Sequence, residues 1–217
     1  MAKSRSKDSK LSRKYLDSAR KRYFDILGAF AIGLALLPLL SCLTVFIGLT
    51  NGRVFFSHKR VGRYGRQFYC LKFRTMVPDA EARLEEILHN SPQLEFEWRE
   101  TQKLKNDPRV TRVGNILRRT SIDEFPQLIN VIKGEMSLVG PRPIVEDELE
   151  RYGRSARYYK ACKPGLTGIW QAFGRSDASY KERVAMDRLY FRRASFIFDL
   201  AIILNTVRSV VLGRGAY

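Results

Sequence analysis

From residue 118 to residue 124 the chain reads Arg-Arg-Thr-Ser-Ile-Asp-Glu, two cations followed at short range by two adjacent carboxylates. Ser121 and Glu124 have the spacing of a capping box, with Ser121 at the N-cap and Glu124 at the third helical position. Acids in a first helical turn also suit the positive end of the helix dipole, and that role alone accounts for both Asp123 and Glu124. The same geometry serves catalysis. A helix N-terminus lowers a carboxylate's pKa and draws phosphate oxygens. An ionised Asp123 there, beside a second acid able to hold Mg2+ and preceded by Arg118 and Arg119, is equipped to attack phosphorus. Arg142, fixed between Pro141 and Pro143, could clamp a phosphate at two points with little entropy to lose. Lys72, Arg74 and Asp187 read singly as solvated residues, and Trp98 and Trp170 as core.

Other chemistries lack carriers. The two histidines, His58 and His89, belong to no HExxH or zinc-like cluster. Cys42, Cys70 and Cys162 make no CxxC pair and no disulfide framework, which fits a reduced compartment. There is no GxSxG, no Walker A loop and no GxGxxG.

The elements that must position these residues start with a membrane segment. Ile26 to Leu49 carries no charge and is long enough for a transmembrane helix. Lysines and arginines crowd both flanks, from Lys3 to Arg22 before it and from Arg53 to Arg74 after it, and basic flanks stay cytoplasmic. Pro38 divides the run into halves of about 18 Å each, enough to dip into one leaflet and too short to cross. The sequence therefore predicts a helix-break-helix at 23–50 that enters and leaves the same face, with a kinked span as the alternative, between a basic cytosolic segment at 1–22 and a catalytic domain at 51–217.

The fold class expected is α+β and helix-rich. Two short antiparallel strands are predicted within 53–76 around Gly62 and Gly65. Helices are predicted after Pro78 and Pro92 and over RVGNILRR, with rigid loops at 140–143 and 163–168. The stretch 195–212 is apolar at helical spacing but interrupted by Asp199, Asn205 and Arg208, so it packs on the core or lies along the membrane surface. A formal charge of +17 calls for anionic partners without choosing among them. The GRYG loop at 62–65 resembles a KH-type GxxG, but it lies between strands, and RNA binding would leave the apolar segment unexplained. No nucleic-acid partner is expected.

Five ordered blocks resemble the monotopic phosphoglycosyl transferases: KRYFD from Lys21, KRVGRYGRQFYCLKFRTM from Lys59, LRRTSIDEFPQLINVIKGEMSLVGPRP from Leu117, KPGLTGIWQAFGRSD from Lys163, and VAMDRLYFRRASFIFDLAIILNTV from Val184. The ending GRGAY fits as well. Within that family the insert 79–105 and VEDELERY are similar to the branch that transfers galactose phosphate in exopolysaccharide or O-antigen synthesis. The resemblance implies that Asp123 attacks the β-phosphorus of a UDP-sugar, releases UMP and holds the sugar phosphate until undecaprenyl phosphate takes it. It implies Mg2+ on Glu124, and a place in the site for Lys72, Arg118, Arg142 and Asp187. Galactose is the expected sugar, with glucose or an N-acetylhexosamine as alternatives. The expected location is the bacterial inner membrane with the catalytic domain on its cytoplasmic face; homo-oligomerisation is left open. One departure is Leu37-Pro38, where many members of the family have Ser-Pro.

Overall fold

The computed structural model describes residues 10–101, 104, 106–174 and 178–211. The expectations that fall on residues 1–9, on 175–177 and on the GRGAY ending lie outside the described residues. A short helical stretch over 10–16 leads into α1, Ala19–Asn51. The Ser18 side chain accepts from Lys21 N at the start of α1, and Gly52, at φ 71, ends it by donating to Gly48 O. That left-handed conformation is one glycine adopts without a Cβ clash.

At 33 residues α1 is about 50 Å long. It is helical without interruption through Pro38, so the expected break is absent. A lone proline removes one amide and one bond of the ladder. Helix-forming alanines and leucines before it and leucines after it carry the remaining bonds past it.

Both ends of α1 are anchored. Near its start, Lys21 Nζ pairs with Asp25 at 3.0 Å and with Asp199 at 2.7 Å, all three buried. Asp25 also accepts from Ser137 Oγ and Leu138 N, and Asp199 from Tyr15 OH, with the Tyr190 hydroxyl also against it. These bonds explain KRYFD and FDLAIILNTV together, since the two blocks supply opposite charges of one buried network. Near its end, Ile47 is buried with Phe73 and Leu117, flanked by Leu40, Leu43 and Ile122. Between the anchors the helix exposes Leu27, Phe30, Leu34, Leu37 and Val45.

The expected strand pair is present: β1, Phe55–Val61, runs antiparallel to β2, Gln67–Phe73, with Phe56 opposite Lys72 and Arg60 opposite Phe68. The helices α2, Ala80–Asn90, and α3, Pro92–Thr101, form the insert. Then come α4, Arg112–Arg119, and α5, Gln127–Lys133.

A second sheet was not expected. β3, Ser137–Val139, pairs in parallel with β4, Gly165–Thr167, where the sequence suggested a loop. The glycines explain it. A Cβ on Gly165 would stand 2.1 Å from Gly140 N, and one on Gly140 would stand 2.3 Å from Lys163 O, so these backbones meet only where neither bears a side chain. Between the strands lie α6, Glu146–Arg151, and α7, Ala156–Lys160; α8, Tyr180–Arg193, and α9, Phe196–Val211, follow. The main core joins Ala29 of α1, Leu128 and Val131 of α5, Leu138 and Val139 of β3, Tyr190 of α8 and Ile202 of α9. α9 packs through Ile202 and Asp199 and leaves Ile197, Leu200, Leu204 and Val207 exposed.

Candidate active site

The segment linking α4 to α5 does not form the capping box that its sequence suggested. Ser121 takes a left-handed conformation, φ 57 and ψ 17, and its side chain caps nothing. Ile122–Glu124 is a single 3-10 turn, closed by Glu124 N donating to Ser121 O and Phe125 N donating to Ile122 O. Pro126 then takes the N-cap position, so the α-helix starts only at Gln127. A capping box does exist, at Ser179 and Glu182 ahead of α8. A serine at positive φ is strained, and the strain falls two residues before Asp123.

That turn holds Asp123 buried, with 7% of its surface accessible. Lys72 of β2 reaches both acids, with its Nζ 3.7 Å from Asp123 Oδ2 and 2.6 Å from Glu124 Oε1. Arg118 donates through Nε to Thr75 Oγ1 and its charge acts on Asp123. The two carboxyls are pushed apart in pKa. Burial, with help from the Glu124 charge, raises Asp123 above the usual carboxylate range, against the pull of Lys72 and Arg118. This reverses the depression expected from a helix dipole, because a three-residue turn has almost no aligned dipole and burial wins. Burial would also raise Glu124, but Lys72, Arg142 and Arg60 outweigh it and hold Glu124 below its ordinary value.

Arg142 lies over the Trp170 ring, 5.3 Å from its centroid, and Arg183 lies 4.6 Å from the same ring. The cleft in front of Glu124 is lined by Arg60, Cys70, Lys72, Arg142, Gly165 and Gln171, among others. Thus Lys72, Arg118, Asp123, Glu124 and Arg142 converge, as their blocks suggested.

Asp187 does not join them. It is buried on α8, accepts from Tyr152 OH at 2.7 Å, and is pushed up to about 7 by burial. Pro38 lies in the exposed middle of α1, away from the cleft.

Six lining residues were missed, Arg60, Cys70, Gln127, Pro143, Gly165 and Gln171. Arg60 shares the site-facing side of the hairpin with Cys70 and Lys72, which alternation along β1 and the turn at Gly62–Gly65 would have indicated. Gln127 opens α5. Gln171 sits in a π-helical turn, Trp170–Gly174, that no sequence pattern announces. Its Nε2 donates to Leu166 O, while its Oε1 is buried with no partner among the described residues, an acceptor lining the cleft.

The donor set suits a hard cation. Among the described residues no three His, Cys, Asp or Glu side chains gather. A single ionised carboxylate with a second beside it is the modest protein contribution that Mg2+ takes when phosphate oxygens complete its shell.

A buried carboxylate between cations, with an ionised partner at its side, is an arrangement that suits phosphate esters. The chain belongs to the bacterial sugar transferase family, which it matches over residues 16–213. It is 50% identical over 197 residues to the UDP-galactose-lipid carrier transferase of Erwinia amylovora, covering 91% of this chain and 41% of that protein. It is 48% identical over 198 residues to the exopolysaccharide production protein ExoY of Sinorhizobium fredii, covering 91% and 88%. It is 47% identical over 197 residues to the undecaprenyl-phosphate galactose phosphotransferase of Salmonella typhimurium, covering 91% and 41%. The chain therefore spans about two fifths of the length of the first and third relatives and most of ExoY.

Proposed function

We propose that this chain transfers a hexose 1-phosphate from a UDP-sugar to undecaprenyl phosphate and releases UMP, through a covalent ester on Asp123. The observation that carries the reading is Asp123 itself: a buried carboxylate on a strained turn, beside Lys72 and Glu124 and at the edge of an arginine-lined cleft. Direct transfer would require two bulky anions, one soluble and one lipid-bound, to meet in line at one phosphorus. A carboxylate nucleophile splits that event into two displacements at one site. In the first, an Asp123 oxygen bonds to the β-phosphorus as the bond to the α–β bridging oxygen breaks, and UMP leaves with those electrons. In the second, the lipid phosphate bonds to the same phosphorus and Asp123 leaves as a carboxylate.

Burial raises the basicity of Asp123 and so its nucleophilicity, while Lys72 and Arg118 favour its ionised form. Lys72, Arg60 and Arg142 are placed to neutralise the diphosphate oxygens. Glu124, with Asp123 beside it, would hold Mg2+, which supplies further charge neutralisation when bound.

Galactose 1-phosphate is the sugar first proposed, since two of the relatives are named for galactose transfer. Glucose 1-phosphate is second, after a 38% identical glucose-1-phosphate transferase of Escherichia coli. The membrane reading rests on α1 and α9. Lys21 and Ile47, near the two ends of α1, are both bound to one body, so the helix lies along that body's side. A helix crossing about 30 Å of hydrocarbon would carry one end away from it. With basic flanks at both ends, this supports an α1 whose two ends stay on one face of the inner membrane, α9 lying along the surface, and catalysis on the cytoplasmic face.

The test is a trap. Wild-type protein incubated with labelled UDP-galactose and no lipid should carry label on a peptide containing Asp123. Absence of an adduct, together with lipid transfer by Asp123→Asn, would end the covalent reading.

A further inference from the structure

A second cavity, of about 140 Å3, opens where α1 begins, away from the Asp123 cleft and sharing none of its lining residues. Its charged lining is Asp17, Lys21, Arg22, Asp25, Arg63 and Lys163. Most of these charges are accounted for. Arg63 pairs with Asp17 and donates through Nε to Ala161 O. Lys21 pairs with Asp25 and Asp199.

Arg22 and Lys163 form no ion pair among the described residues, and Asp25 acts on Lys163 only from beyond ion-pair distance. Arg22 donates through Nη1 and Nη2 to Val131 O and Ile132 O, each at 2.6 Å, near the C-terminal end of α5. Lys163 has no hydrogen-bond or ion-pair partner among the described residues. Gly134, at φ 87, ends α5 beside both: a Cβ built there would stand 3.4 Å from Arg22 Nη2 and 3.6 Å from Lys163 Nζ. Two cations are thus held close together, while Asp17 and Asp25 of the same cavity pair with Arg63 and Lys21. Burial first, then the charges of Arg22, Arg63 and Lys21, pull Lys163 below the ordinary lysine range, with Asp25 opposing.

The dipole of α5 does not explain this. The helix has seven residues, and Arg22 already satisfies its exposed carbonyls. What the arrangement lacks is an anion with several acceptor oxygens. Leu16 and Val139 are the apolar side chains that line the cavity, and Ile132, whose carbonyl Arg22 holds, is exposed at the end of α5.

We propose that this cavity binds a phosphate group, free or carried by a lipid, between Arg22 and Lys163. The proposal does not depend on the transfer reaction at Asp123.

The test uses the full chain in detergent micelles. A brief acetic anhydride pulse, followed by peptide mass spectrometry, reads the reactivity of Lys163. The probes are inorganic phosphate, dioleoyl phosphatidylglycerol, and dioleoylglycerol as the phosphate-free lipid. Labelling of Lys163 should fall about tenfold with a phosphate-bearing probe, as expected for one charge-assisted hydrogen bond gained, and stay unchanged with dioleoylglycerol. Protection by phosphatidylglycerol alone assigns the site to a lipid headgroup, and protection by inorganic phosphate at the same concentration assigns it to a soluble anion. Native mass spectrometry of Lys163→Gln should show the bound phosphate-bearing probe reduced by a similar factor, with Lys163→Arg retaining it. Equal labelling of Lys163 with and without both phosphate-bearing probes, or undiminished binding by Lys163→Gln, would overturn the proposal.

Discussion

Glu124 and Asp123 are adjacent in sequence, yet the fold gives them different electrostatics. Glu124 is held ionised by Lys72, Arg142 and Arg60, whereas burial pushes Asp123 upward. Glu124→Gln removes an anionic metal ligand and leaves Lys72 a neutral amide oxygen in place of its 2.6 Å carboxylate partner. UMP release should fall at least about a hundredfold, the scale of losing a preorganised charge contact at a reacting phosphate, and the Mg2+ dependence of what remains should flatten. Wild-type turnover with an unchanged Mg2+ titration would remove Glu124 from the metal site. Asp187 yields a prediction of another kind. Its folded pKa of about 7 lies above the ordinary value of 3.8, so the fold favours its protonated form. The stability this contributes is complete below about pH 4 and is lost as pH rises toward 7. Asp187→Asn keeps an acceptor for Tyr152 and cannot ionise, so above pH 7 it should exceed wild type in stability by roughly 2–4 kcal/mol, with parity near pH 4. Thermal melts across that range check it, and a wild-type curve parallel to that of the variant would refute the assignment. The sequence made Asp123, Glu124, Lys72, Arg118 and Arg142 legible because each lies in a dense motif. Asp187 lies in an equally dense motif, yet the fold bonds it to Tyr152 and leaves it out of the cleft lining, a difference that motif density does not carry.

At the scale of elements, local pattern succeeded where the interaction was local. The β1–β2 hairpin follows from β-forming residues around Gly62 and Gly65, and α4 from RVGNILRR with Thr111 as its cap. It failed where the partner is distant. Ser121-x-x-Glu124 has capping-box spacing, but Pro126 moves the start of α5 to Gln127 and leaves one 3-10 turn. The β3–β4 pair was invisible because its stability comes from backbones 28 residues apart in register, Ser137 against Gly165. The glycines of GPRP and KPGLTG were legible as turn residues, while their close approach to each other was not. Gly165→Ala should therefore cost more than an ordinary small-to-large change at a surface. The new methyl would meet Gly140 N and Thr167 O, backbone atoms that can yield only if the strand pair moves. A loss of roughly 1–3 kcal/mol is expected, together with reduced UMP release because Gly165 also lines the cleft. Gly52→Ala makes a control for a glycine with open space around it, strained only through its positive φ. Equal melting of Gly165→Ala and wild type would show that the two strands are not in contact.

For the whole molecule, the question is which side of the membrane holds the two ends of α1. The formal charge of +17 favours an anionic membrane surface without fixing topology. The basic flanks at both ends of the apolar run favour the cytoplasmic side twice over. The sequence suggested that Pro38 folds the segment back, and the structure instead has a helix unbroken at Pro38 whose two ends grip one body. Same-side topology therefore rests on the Lys21–Asp25–Asp199 network at one end and on Ile47 with Phe73 and Leu117 at the other. Cysteine labelling in intact cells separates the alternatives. Cys42 is exposed in the middle of α1, so it is first changed to serine; Cys70 and Cys162 are buried and stay. Lys14→Cys and Ser57→Cys then place one exposed thiol on each side of the apolar run. Both should resist a membrane-impermeant maleimide in intact cells and react after permeabilisation. A crossing helix must expose one of the two thiols to the outside. Labelling of Lys14→Cys from outside, with Ser57→Cys protected, would mean that the segment spans. The Lys21 network and the Ile47 contact would then have to separate, because no body on one face can hold both ends of a helix that leaves through the other.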